Sequence, residues 1–197
     1  MAFIGMRHPV VAKIASHTEG TEPTYDSGMV MGHAIQGNLT ITRNNNPLRG
    51  DDVIVEDDNG ITAMSLELGL DDLEEAVRVY MLGLKEKSVG SGENAIKEYH
   101  DTDEASPYVR TGYIRVRRKD GKTSYQAVWM YKVSFSEGGE NSQTKGESIE
   151  WQTPTISGRV MGVNVGGTGE RTFRKKANFA TEDAAVSWLD SLAKITA

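Results

Sequence analysis

The sequence predicts a mainly β fold of the α+β class: an antiparallel β-sandwich or open barrel with a flanking α-helix and a C-terminal helix. Three observations predict it. Several stretches alternate apolar and polar residues with the period of two that puts one set on a single strand face. Gly, Asn, Asp and Pro turn signals punctuate those stretches. Only two segments switch to helical spacing, and no regular strand–helix–strand alternation runs through the chain.

The elements follow in order. From His33 to Arg43, Ile35, Leu39 and Ile41 share one face, and Gln36, Asn38, Thr40 and Thr42 share the other. Asn44-Asn45-Asn46-Pro47 then reads as a turn. Val53-Ile54-Val55 and Ala63 to Leu68 are predicted strands, the second with Met64, Leu66 and Leu68 inward. Asp58-Asn59-Gly60 between them suits a type I′ hairpin turn. Asp71 to Lys85 places Leu73, Val77, Tyr80, Met81 and Leu84 on one helical stripe, with Asp71 and Glu74 spaced as in a capping box. Glu86 to Pro107 reads as mostly connecting segment.

Tyr108 to Arg118 and Thr123 to Phe135 flank an Asp120-Gly121 hairpin turn. The second strand is the clearest in the chain. Tyr125, Ala127, Trp129, Tyr131, Val133 and Phe135 are predicted to form one buried face, with Ser124, Gln126, Lys132 and Ser134 opposite. Its eleven-residue core from Tyr125 to Phe135 would extend roughly 36 Å, about twice the usual strand length. Ile149, Trp151 and Thr153 alternate in a further predicted strand, and Ile156 to Val165 follows. Gly166-Gly167-Thr168-Gly169 reads as a bend and Glu170 to Phe179 as a basic stretch. Thr181 to Ile195 is an amphipathic helix with Thr181 as N-cap and Ala185, Trp188, Leu189 and Leu192 inward.

The chain has 197 residues, no cysteine and a formal net charge of −6. That length carries one domain with a substantial core. The missing cysteines remove disulfides, thiolate nucleophiles and thiolate metal sites. The acidic balance argues against a dedicated nucleic-acid binder. No apolar run approaches the ~18 residues of a membrane span, and the start lacks a signal-peptide pattern, so a soluble, non-secreted product is expected. The charge is unevenly placed. Asp51 to Glu75 contains ten carboxylates and no Lys or Arg, whereas Arg110, Arg115, Arg117, Arg118, Lys119 and Lys122 cluster around one hairpin. These are either two solvated faces or complementary surfaces for self-association.

Catalytic signatures are lacking. His8, His17, His33 and His100 are scattered and do not form the paired-histidine zinc pattern. Gly146-Glu147-Ser148-Ile149-Glu150 lacks the closing glycine of a nucleophile elbow. A calcium loop with Gly60 at its sharp turn would put Val55 and Leu66 at ligand positions, which excludes an EF-hand. Gly166 to Glu170 lacks the Lys-Ser/Thr of a P-loop. Arg49-Gly50-Asp51 spells an adhesion tripeptide, a signal too short to carry a function. The expectation is a non-enzyme without cofactors or metal.

Asp26 to Gly32, Leu48 to Asp58 and Thr144 to Thr155 resemble the major tail (tail tube) proteins of long-tailed, non-contractile bacteriophages, and the order of elements matches over essentially the whole chain. The resemblance implies a single tail-tube-like domain spanning 1–197, with an amino-terminal arm over about 1–25 and a long β-hairpin loop over about 42–60. It implies a virion protein, made in the bacterial host cytoplasm, that stacks as hexameric rings around a tape measure protein. Its further partners would be tail terminator and baseplate or distal tail proteins. DNA would pass through the lumen without specific binding, and no membrane is involved. Asn44, Asn45, Asn46, Arg49, Asp51, Asp52, Asp57 and Asp58 become the inter-ring or lumen candidates. An acidic lumen would repel phosphate and let DNA slide. Two alternatives compete: a β-sandwich carbohydrate- or protein-binding module using Trp129, Trp151 and Tyr131, and a hydrolase built on a carboxylate pair.

Overall fold

A computed structural model describes residues 2–90, 92, 95–139, 144 and 151–195. The chain runs through β1 (Ala2–Ser16), β2 (Thr24–Tyr25), β3 (Met29–Val30), β4 (Ala34–Arg43), β5 (Asn46–Gly50), β6 (Val53–Asp58) and β7 (Ile61–Leu70) to a helix, α1 (Glu75–Leu82). It continues through β8 (Lys85–Val89), β9 (Ile96–His100), β10 (Tyr108–Lys119), β11 (Lys122–Glu137), β12 (Thr155–Val160) and β13 (Arg174–Phe179), and closes with α2 (Glu182–Ala193).

The fold is mainly β, as expected. One large antiparallel sheet has the order β2-β1-β10-β11-β12-β7-β4, with β3 beside β1 and β13 beside the first half of β11. β5–β6 and β8–β9 form separate two-stranded sheets. The large sheet curls until the Met6 sulfur on β1 lies over Gly37 on β4, yet no ladder joins those strands, so the barrel stays open.

Two cores form on opposite sides of the sheet. The concave side buries Val11, Leu66, Leu68, Met130, Val133 and Phe135 together with Leu73, Val77 and Met81 from the α1 segment. The convex side buries Val10, Ala12, Ile114, Ala127 and Trp129 beneath Ala185, Leu189 and Ala193 of α2. Arg7 to Glu182 and His8 to Asp190 pairings, at 2.6 and 2.7 Å, tie β1 to both ends of that helix.

The odd-numbered row of β11 is not one face. Val109 pairs with Val133, but Thr111 pairs with Met130, so β11 carries one extra residue opposite Arg110. Each inserted residue reverses the side-chain parity beyond it. Trp129 and Ala127 therefore join the convex core, while Val133 and Phe135 join the concave one. Gln126, expected beside Lys132 and Ser134, turns instead to the concave side and donates to Asn178 at 3.0 Å. β1 has a comparable irregularity between Arg7 and Val10, where His8 adopts φ 52°.

Other expectations are corrected locally. Val53-Ile54-Val55 is a strand, but it pairs with β5 and not with β7. Asn59-Gly60 is the return into β7, and the tight turn lies at Asp51-Asp52. Asn46 and Pro47, read as a turn, are in β5. Part of the supposed connector at 86–107 is the β8–β9 hairpin, which has no alternating apolar row and is held by its ladder and a Lys97–Glu86 ion pair at 2.9 Å. The α1 segment has no capping box: Asp71 accepts from the backbone N–H groups of His33 and Asp72, and Glu74 makes no side-chain cap bond. Thr181 makes none either. Residues 2–16 of the expected amino-terminal arm form β1, a strand paired along β10. Trp151 to Thr153 is not strand, and the rest of that expected strand, with half of Thr144 to Thr155, lies outside the described residues.

Candidate assembly surfaces

The β5–β6 hairpin gathers the candidate residues on one projection, at its two ends. Asp51 and Asp52 occupy the tip with φ 48° and 65°, the conformation of a type I′ turn, which aspartate tolerates better than most side chains. Arg49 pairs with Ile54 just below. At the base, Asn44 Nδ2 donates to Asp58 Oδ2 at 2.7 Å, and the other Asp58 oxygen accepts from Gly60 N–H at 3.2 Å. Arg43 donates to Asn59 O at 2.9 Å. Asp58 and Asn44 are thus clamps of the root, whereas Asn45, Asn46 and Asp57 stay exposed.

Every residue of β6 is exposed, including Val53, Ile54 and Val55 at 61, 57 and 64%. Leu48 on β5 is also exposed. Six residues at the rise of a strand carry this hairpin roughly 20 Å from the body. An apolar run presented in this way buries nothing within its own chain, which marks it as a contact surface.

A second surface is the uncovered face of β4, β7, β12 and the end of β11. Its exposed cross-strand pairs are polar: Asn38 with Glu67, Thr40 with Ser65, Ser157 with Glu67 and Ser136 with Ser157. β4 also pairs on one side only, with β7, so among the described residues its outer backbone edge has no partner strand.

The basic cluster separates into three environments. Arg118, Lys119 and Lys122 are exposed at the β10–β11 tip. Arg110 is fully buried, with its guanidinium 3.8 Å from the Tyr25 ring centroid, 5.3 Å from that of Tyr131, and 3.9 Å from Glu22. Arg115 and Arg117 turn into the concave side, where β13 adds Arg174 and Lys176, residues that sequence spacing did not connect to that hairpin. Arg115 stacks on Phe3 at 3.3 Å, and Arg117 donates to Asn178 at 3.0 Å. Arg115 and Arg174, with Tyr113, line an open cleft of about 440 Å³ between β1 and β4. Burial, then the charges of Arg174, Arg115 and Arg117, holds the Lys176 ammonium below its usual value.

Chemistry does not converge elsewhere. Among the described residues, no three His, Asp or Glu side chains are grouped to hold a metal ion. No described helix is long and apolar enough to cross a membrane. Of the aromatic trio proposed for a binding module, Trp129 and Tyr131 are buried and Trp151 is 84% exposed, so the three do not make one platform. The chain matches no protein-family model and no curated protein.

Proposed function

We propose that this chain is a tail tube subunit that self-assembles as stacked hexameric rings around a tape measure protein and conducts DNA. The observation that carries the reading is the β5–β6 hairpin: an exposed, acidic and apolar arm whose β6 packs on no element besides β5 among the described residues. Two features support it. The unpartnered β4 edge suits lateral sheet joining between neighbours. The broad face of Asn38, Thr40, Ser65, Glu67 and Ser157 is polar, and Arg159 beside Ser65 is offset by Glu67, so phosphate meets no concentrated positive charge there. Tail terminator and baseplate proteins would then meet the two ends of the stack.

Negative-stain electron microscopy of the concentrated protein tests the reading. Rings or tubes are expected; a monomer that stays monomeric with tail partners present counts against it. The competing reading, a binding module, draws on the exposure of Trp151 alone. It requires saturable quenching of that tryptophan by a soluble glycan or peptide.

A further inference from the structure

The β5–β6 hairpin carries five carboxylates (Asp51, Asp52, Glu56, Asp57 and Asp58) against the single Arg49. Its apolar residues, Leu48, Val53, Ile54 and Val55, face solvent. The cleft between β1 and β4 has the opposite chemistry. Arg115 and Arg174 line it, with Arg117 and Lys176 beside them, and Phe3, Met6, Ile35 and Leu39 form its apolar walls. No carboxylate lines it among the described residues, and Arg115, Arg174 and Lys176 form no ion pair with one. Cations that crowd each other without a counter-charge raise the free energy of the empty site, and an incoming carboxylate relieves it.

We infer that this cationic cleft receives the acidic, apolar tip of the β5–β6 hairpin of a second copy of the chain. The inference rests on the self-assembly reading above and specifies which surface the hairpin meets. Charge and hydrophobicity match on both sides: Asp51 and Asp52 meet the arginines, while Leu48, Val53 and Ile54 meet Phe3, Ile35 and Leu39. The volume, about 440 Å³, lies within the ~300–1,000 Å³ range of sites that enclose a compact ligand. The unpaired outer edge of β4 borders the cleft and offers backbone groups for the arriving strand. The hairpin of the same chain cannot be the occupant, because β6 is exposed along its whole length.

The absence of native cysteine makes the contact directly testable. Full-length chains bearing Val53→Cys and Ile35→Cys are mixed and oxidised. A Val53→Cys and Ser65→Cys mixture serves as control, since Ser65 lies exposed on the polar sheet face. The hairpin–cleft adduct is expected at least tenfold above the control. Adding Arg174→Glu and Lys176→Glu to the Ile35→Cys chain should abolish that excess. Arg174→Gln with Lys176→Gln, expected to weaken it, replaces the pair if the glutamates prevent folding. Rings or tubes with no adduct above control overturn the cleft assignment and leave self-assembly standing. No higher-order species and no adduct overturn both. Binding of a short DNA duplex in the cleft, without the adduct, also overturns the assignment.

Discussion

Arg110 shows what a single buried charge does to its surroundings. Its guanidinium lies against two tyrosine rings, and the nearest carboxylate is that of Glu22. Glu22 also accepts from Lys175 and from the Tyr25 hydroxyl, each at 2.7 Å. Burial alone would raise the Glu22 pKa, but these hydrogen bonds and the charges of Lys175 and Arg110 outweigh it and hold the carboxyl below its usual value. A depressed carboxyl stabilises the fold fully above its unfolded value near 4.3, and that contribution disappears as pH falls through the folded value. Glu22→Gln should therefore lower stability at pH 7 by about 1–2 kcal/mol, as for a hydrogen-bonded charge at a half-exposed site. Melting curves at pH 7 and pH 3 check the sign: the wild type loses more stability between them than the variant. Gly112 is a second residue whose identity is dictated by contact. A Cβ there would lie 2.6 Å from Trp129 Cε3, 2.7 Å from Leu189 Cδ2 and 2.9 Å from Val128 O. Gly112→Ala should cost about 1–3 kcal/mol by overpacking, visible as a lower Tm with an altered near-UV signal from Trp129. Neither residue was legible in the sequence. Arg110 reads as one member of a surface basic cluster, but the alternation of β10 sets it on the convex side with Gly112 and Ile114, where Tyr25 and Tyr131 lie against it.

At the scale of elements, periodicity identified β4, β7, β10, β11 and both helices, because their side chains answer to a core, but it missed β1, where an arm was expected. The inward set of β7 (Met64, Leu66 and Leu68) is as the alternation required. The Asp120-Gly121 turn is also as expected, with φ of 51° and 77°. Phase was lost where a backbone insertion reversed parity, as in β11, since an added residue leaves no compositional mark. Pairing was lost in the β5–β6 region for a different reason: local alternation predicts a strand without naming its partner, and Val53 to Val55 proved to pair within the projection. The candidate site was legible as a hairpin between 42 and 60, but its cationic counterpart was not, because β10 and β13 meet only through β11. The hairpin is structurally separable. Arg43 and Ile61 are ladder partners, so an Asn-Gly turn replacing residues 44–60 reconnects β4 to β7 directly. That variant should keep its Tm within a few degrees, as expected when mostly exposed side chains, and none from either core, are removed. It should no longer form the rings or tubes that the intact chain is expected to form by electron microscopy.

For the whole molecule, the distribution of charge matters more than its sum. A net charge of −6 favours separate monomers through mutual repulsion, while the proposed hairpin–cleft contact would set opposite charges against each other. These effects respond differently to salt. The screening length shortens from about 10 Å at 0.1 M to about 3 Å at 1 M, so diffuse repulsion between subunits fades early and the attraction across a close contact fades later. If the hairpin–cleft contact controls association, attraction dominates, and raising NaCl from 0.1 to 1 M should increase the concentration needed for assembly. Two exposed aspartates at roughly 0.2–1 kcal/mol each correspond to an increase of about twofold to thirtyfold. The pair Asp51→Asn and Asp52→Asn keeps the left-handed turn, since asparagine tolerates that conformation, and removes the charge. Sedimentation velocity across the salt series should show this variant assembling more weakly at 0.1 M and with a flatter salt dependence. Assembly that strengthens with salt, equally in both proteins, would mean that repulsion between acidic surfaces limits association and that the tip aspartates have no cationic partner.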